Sequence, residues 1–183
     1  MPMCNPYGYY NDKSKSPNGA SVGDSDHLLG LGEGKGPACR EADEITSFLM
    51  ALEERINSET KVLDLHEDDF REDPRHYGDS AGTYIYVHGE EADKNPLALR
   101  ILEMLQKNRH PLIGEGQTRF KESIIGGLVT NSHDGSIDEL LVVILRAGLA
   151  IVMETYVVDL NDPPLEERVE IQTEALNIFS GRS

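Results

Sequence analysis

The sequence predicts an α+β domain, mostly helical, with about five helices around an apolar central helix at residues 136–154 and a small antiparallel sheet. Three observations carry this. Apolar residues recur at three- and four-residue spacing in several blocks, and two short runs alternate with period two. The capping box Ser136-Ile137-Asp138-Glu139 opens a stretch, Leu140 to Val152, that is apolar on nearly every side. A helix of that kind must be enclosed, by other elements or by a second subunit, and this places it centrally and predicts a homo-oligomer.

Residues 1–36 are rich in Gly, Ser and Asn and hold too few apolar side chains to offset the entropy of ordering, so they read as a flexible N-terminal arm carrying Tyr7, Tyr9 and Tyr10. Residues 37–183 read as a single domain. Its first helix is predicted over Pro37 to Ile56, with Glu41, Asp43 and Glu44 in the early turns and a stripe of Ile45, Phe48, Leu49, Leu52 and Ile56. Lys61–Leu65 and Thr83–His88 read as strands, separated by an acidic loop.

Asn95 as N-cap and Pro96 at the first helical position open the next helix, with Leu97, Ile101, Leu102 and Leu105 facing inward before Asn108 and Pro111 stop it. Phe120, Ile124 and Leu128 keep a helical period, although Gly126 and Gly127 each cost about 1 kcal/mol there against Ala. After the central helix, Thr155–Val158 either extends it or turns into a strand. Asn161-Asp162-Pro163-Pro164 then opens a last helix whose apolar stripe is Leu165, Val169, Leu176 and Phe179.

Charge is unevenly placed. The net of −16 combines a balanced first 40 residues, 16 acids against 5 bases over 41–95, and a reversal over 96–121, where Arg100, Lys107, Arg109, Arg119 and Lys121 face only Glu103 and Glu115. Such a chain repels nucleic acid and anionic membranes over most of its surface, and with 6% aromatics and no Trp it lacks the stacking residues of single-strand binders. The longest apolar stretch, Leu140 to Met153, holds Arg146 and falls short of the roughly 20 residues a membrane span takes. No hydrophobic run follows a basic leader, and Cys4 and Cys39 form no redox or disulfide pattern, which together predict a cytoplasmic protein with reduced thiols.

The chemistry-bearing patterns are sparse. The segment His66 to Tyr77 concentrates Glu67, Asp68, Asp69, Glu72, Asp73 and His76, donors suited to a divalent cation, but without the Gly and terminal Glu spacing of an EF-hand. The same carboxylates can imitate a phosphate backbone and enter a basic cleft. Gly30-Leu31-Gly32-Glu33-Gly34-Lys35-Gly36 fails as a phosphate loop, since Leu29 and Gly36 stand where Gly and Ser or Thr are needed and no strand precedes it. Ser132, His133 and Asp134 are adjacent, which points their side chains apart rather than into a relay.

The reading these features favour is a non-enzymatic, acidic interaction protein, with the profile of a viral or mobile-element accessory factor, that binds and inhibits a partner with a basic surface, such as a nucleic-acid enzyme. Glu67, Asp68, Asp69, Glu72 and Asp73 form its acidic contact surface, and Arg100, Lys107, Arg109, Arg119 and Lys121 its basic one. The first partners of these surfaces are each other, within one chain or across a dimer. No cofactor is expected. Two alternatives stay open: an assembly subunit of a larger particle that uses its N-terminal arm, and a metal-dependent hydrolase that uses His66, Asp68, Asp69 and His76.

Overall fold

A computed structural model of the chain describes residues 40–69, 82–117, 122–130, 136–157 and 163–182. The expected N-terminal arm lies outside them. The described residues fall into two compact units, 40–61 with 136–148 and 62–130 with 149–182.

The second unit is built on a four-stranded mixed sheet in the order β1-β6-β2-β5, formed by β1 (Lys61–Asp69), β2 (Tyr84–Gly89), β5 (Leu128–Thr130) and β6 (Leu149–Val157). Strand β2 runs antiparallel to β6, with Tyr84 opposite Glu154 and His88 opposite Ala150, and parallel to β5, with Ile85 opposite Leu128. A two-stranded ribbon pairs β3 (Gly116–Gln117) with β4 (Ser123–Ile124).

Side chains alternate across the sheet, so the inner strands β2 and β6 serve two cores. Ile85, Val87, Leu149, Ile151 and Met153 pack with Ala98, Ile101, Leu102 and Leu105 of α1 (Pro96–Lys107) and with Ile171, Ala175 and Ile178 of α2 (Leu165–Phe179). On the other face Tyr84, Tyr86, Val129, Val152 and Tyr156 gather with Ile113 and Ile124. The start of α1 follows its sequence signature: Asn95 Oδ1 accepts the amides of Leu97 at 3.0 Å and Ala98 at 3.4 Å, and Pro96 occupies the first helical position.

The first unit holds a helix over Arg40–Met50, followed by a 3₁₀ turn at Glu53–Arg55. The predicted single helix to Ile56 breaks there. Ser136 Oγ accepts the Glu139 amide at 3.3 Å, so the capping box does open a helix. That helix lasts one turn, Ile137–Glu139, runs into a π turn over Leu140–Ile144, and ends as the Leu145 amide bonds to the Leu140 carbonyl.

This overturns the predicted mostly helical fold. The central helix at 136–154 is a short helical turn followed by the nine-residue strand β6, and the small antiparallel sheet is a mixed sheet of four strands plus the ribbon. A strand buried on both faces carries a continuous apolar run, which periodicity cannot tell from a buried helix. The change of state falls at Arg146, whose φ of 64° is left-handed, and at Gly148, whose amide bonds the Thr60 carbonyl at 3.0 Å. The predicted helix through Ile124 and Leu128 is likewise two strands, with Gly126 and Gly127 at positive φ making the turn between them.

The last helix forms where expected but faces otherwise. Of the predicted stripe only Phe179 packs against the helix-side core; Leu165, Val169 and Leu176 are exposed, and Arg168, Ile171, Ala175 and Ile178 are buried. Arg168 can replace an apolar residue because Glu67 on β1 meets its guanidinium at 2.6 Å, and a paired charge tolerates burial where a single one does not.

Gly148 packs against the backbone of Ser58, and a Cβ there would collide with the Ser58 carbonyl. Gly148→Ala is expected to lower stability in urea unfolding by about 2–3 kcal/mol, as backbone cannot move aside like a side chain. Gly126→Ala, at a positive φ with open space around it, is expected to lose only about 1 kcal/mol.

Candidate functional site

The sheet face turned away from α1 and α2 gathers polar residues toward one end. On β1, Leu63 and Leu65 pack into the helix-side core and Glu67 reaches Arg168 on α2, so the alternate residues Asp64 and His66 lie on the opposite face. On β6, Met153 belongs to the helix-side core while Val152 and Tyr156 belong to the other, which places Glu154 on the face of Asp64 and His66. Glu154 is the one charged residue between Leu149 and Val157, and Tyr84 stands directly across from it on β2.

Strands β1 and β6 are neighbours in the sheet, so Asp64, His66 and Glu154 lie on one face of it. Gln172 of α2 donates its side-chain amide to the His66 carbonyl at 3.3 Å and to Thr155 Oγ1 at 3.2 Å, linking β1 to β6 from the helix side. His66 Nε2 lies 3.1 Å from Asp64 Oδ2, with the two side chains 47% and 37% exposed. Partial burial pushes the Asp64 carboxyl up, but the hydrogen bond and charge of His66 and the Leu65 amide outweigh it and hold the group below its ordinary value. Tyr86 on the same face donates its hydroxyl to Glu122 Oε2 at 3.1 Å. His88 shares this face but sits four residues along β2 from Tyr84, about 13 Å away at the usual strand rise.

A second, buried polar cluster fastens the end of β6. Thr83 Oγ1 accepts the Tyr156 amide at 3.2 Å and lies 2.7 Å from His110 Nε2. With the hydroxyl proton given to Nε2, the imidazole proton sits on Nδ1, which faces Glu167 Oε1 at 3.5 Å. Hydroxyl, imidazole and carboxylate stand in the order of a catalytic relay, but Thr83 is completely buried and its oxygen is engaged by the backbone, so the cluster is architectural. Burial pushes the His110 pKa down, and Glu167 opposes without reversing the shift.

The residues singled out in the sequence are dispersed. Glu67 pairs with Arg168 rather than with the basic segment 96–121. Asp68 and Asp69 close β1. Arg100 and Lys107 are exposed on α1, and Arg109 follows it with a φ of 57°. Glu72, Asp73, His76, Arg119 and Lys121 lie outside the described residues, as do Cys4, Cys39, the Gly-rich run at 30–36 and Ser132-His133-Asp134. Sequence reasoning picked out His66 and missed Asp64, Glu154 and Gln172. The signals were present: Asp64 and His66 are two apart on a strand, and Glu154 is a lone acid in an apolar run.

Among the described residues no three of His, Cys, Asp and Glu come together in a metal-binding arrangement, and no helix is long and apolar enough to cross a membrane.

No family model and no curated protein matches this chain. Solved structures do. A candidate metallopeptidase from Shewanella amazonensis SB2B shares 20% identity with a TM-score of 0.70, over 98% of this chain and 61% of that one. Candidate metallopeptidases from Shewanella baltica OS155 and Shewanella denitrificans OS217 share 19% and 18% identity, with TM-scores of 0.73 and 0.71, over 98% of this chain and 60% and 58% of theirs. The chain thus spans about three fifths of the length of these proteins, and the likeness is one of fold. It overturns the expectation of a viral accessory factor or inhibitor, because the fold neighbours are bacterial proteins described as enzymes.

Because the folded protein holds His110 neutral, the unfolded chain takes up a proton there first as pH drops below about 6.5. Stability therefore falls on acidification through that value. The loss is expected to be smaller in His110→Gln, measured as the change in urea midpoint between pH 7.5 and pH 5.5.

Proposed function

We propose that this chain is a metal-dependent hydrolase of peptide-type amide bonds, with its site on the sheet face that carries Asp64, His66 and Glu154. The observations that support this reading are the His66–Asp64 pair on β1 and the lone Glu154 carboxylate on the same face of the adjoining strand β6, in a fold shared with candidate metallopeptidases. A histidine held by a carboxylate is the arrangement metal-ligating imidazoles use, since the carboxylate fixes the ring and raises its basicity.

The described residues do not complete a ligand set. A catalytic zinc takes about three protein ligands, and among these residues no such trio forms. The further donors are assigned to the acidic stretch that follows His66 in the sequence, which holds Asp68, Asp69, Glu72, Asp73 and His76. In this reading Asp64 holds the His66 ring in one orientation. Glu154, a carboxylate on an otherwise apolar strand, accepts the proton of an attacking water.

Calorimetric titration of the full chain with Zn²⁺ tests the proposal. One ion per chain is expected, with affinity falling by more than the roughly 10- to 100-fold that loss of an outer-shell partner costs in His66→Ala. Glu154→Gln is expected to keep the ion and lose hydrolysis of peptide substrates. Binding that is absent, or equal in wild type and His66→Ala, contradicts the reading.

A further inference from the structure

We propose that the chain forms a twofold-symmetric homodimer in which β1 pairs antiparallel with β1 of a second copy and the two α2 helices pack together over the seam. The inference does not draw on the hydrolase reading. The apolar run that predicted an oligomer from sequence is buried as β6 within the sheet, so this dimer uses a different surface.

Strand β1 is the long edge of the sheet. Among the described residues it pairs on one side only, with β6, and none of residues 61–67 is buried, although Leu63 and Leu65 pack against the helix-side core. Strand β6 beside it has eight of nine residues buried. Nine residues without Gly or Pro form an edge whose backbone donors and acceptors suit another strand. The opposite edge, β5, is only three residues long.

Helix α2 carries the matching apolar surface. At 3.6 residues per turn Leu165, Val169 and Leu176 fall within an arc of about 40°. They are 57%, 54% and 49% exposed. The flank on the other side of the buried face is turned to α1 and the chain after it, where Glu174 Oε2 accepts from Asn108 at 2.7 Å and Glu167 lies 3.5 Å from His110 Nδ1. The apolar stripe therefore looks the opposite way, past β1.

The dimensions fit a second copy. Gln172 donates to both the His66 carbonyl and Thr155 Oγ1, so α2 runs above the seam between β1 and β6. With strands about 4.8 Å apart, a second β1 across a twofold axis brings the two α2 helices to about 10 Å, within the roughly 8–10 Å of packed helices. An axis normal to the sheet keeps both helices on one face, and their stripes close over it. Two layers each about 10 Å deep along a strand about 30 Å long bury on the order of 1,200 Å² in total, enough for a specific interface.

Charge selects the register. Leu65 is the middle residue of Lys61–Asp69, so full overlap sets Leu65 opposite itself, Asp64 opposite His66 and Lys61 opposite Asp69, and no like charges face each other. Centring the axis on Asp64 or on His66 instead puts Asp64 opposite an aspartate.

Sedimentation velocity of the full chain over a dilution series, without added metal, tests the proposal. Wild type is expected to reach twice the chain mass. The pair of changes Val169→Glu and Leu176→Glu, at positions exposed in one copy, is expected to keep the circular dichroism of wild type and weaken the dimer about 100-fold, because like charges then meet across the axis. His66→Asp is expected to weaken it about tenfold, and exchanging the two residues, Asp64→His with His66→Asp, to restore it. In wild type, amide exchange in β1 is expected to slow as concentration rises.

A wild type that sediments as a monomer throughout overturns the proposal and leaves the edge to another occupant, such as an extended peptide. A dimer that survives in the folded Val169→Glu, Leu176→Glu chain overturns it too, as does dimerisation that leaves β1 exchange unchanged. An exchanged chain as weak as His66→Asp contradicts the pairing centred on Leu65.

Discussion

The structure depends on burying one strand on both faces. Strand β6 lies between β1 and β2, and eight of its nine residues are buried, each face delivering apolar side chains to a separate core. Full burial of a Val, Leu, Ile or Met side chain contributes about 1.5–3 kcal/mol, and this strand makes several such contributions in opposite directions at once. The arrangement leaves little room for polar groups. Glu154 is the exception, and it is the one residue of the strand that stays partly exposed.

That constraint also explains where the sequence was legible. Elements with local chemistry of their own could be read: the Asn95-Pro96 start of α1, the capping box at Ser136, the alternation in Tyr84 to His88. Each is fixed by contacts within a few residues. Strand β6 could not be read, because Leu149 to Val152 follows Leu140 to Leu145 with no polar residue between them except Arg146, and a run apolar on all sides satisfies a buried helix and a central strand equally. What decided the matter was long-range: the pairing with β2 and the close approach of Gly148 to Ser58. The rotated last helix has the same origin. Its exposed Leu165, Val169 and Leu176 look like a buried stripe until Glu67, about a hundred positions away in sequence, supplies a partner that lets Arg168 turn inward.

The candidate site was half legible. His66 stood out as an imidazole among acids, but the partners assigned to it were the acids that follow it in sequence. In the folded chain its immediate partner is Asp64, two residues back on the same face, and Glu154, 88 positions on, shares that face on the next strand. Charge counting directed attention to residues 67–73 because they are dense in carboxylates. Density, however, describes solvation, whereas chemistry follows from which side of a strand a residue takes. Glu67, the most conspicuous of the described acids, serves the helix side and holds Arg168.

In the proposed hydrolase the His66 imidazole is a metal ligand. Zinc-edge X-ray absorption of the zinc-loaded full chain tests it most directly. An imidazole nitrogen at about 2.0–2.1 Å from the metal is expected, with its outer-shell ring scattering lost in His66→Ala. A shell of oxygen ligands alone, or an imidazole signal that persists unchanged without His66, would contradict it.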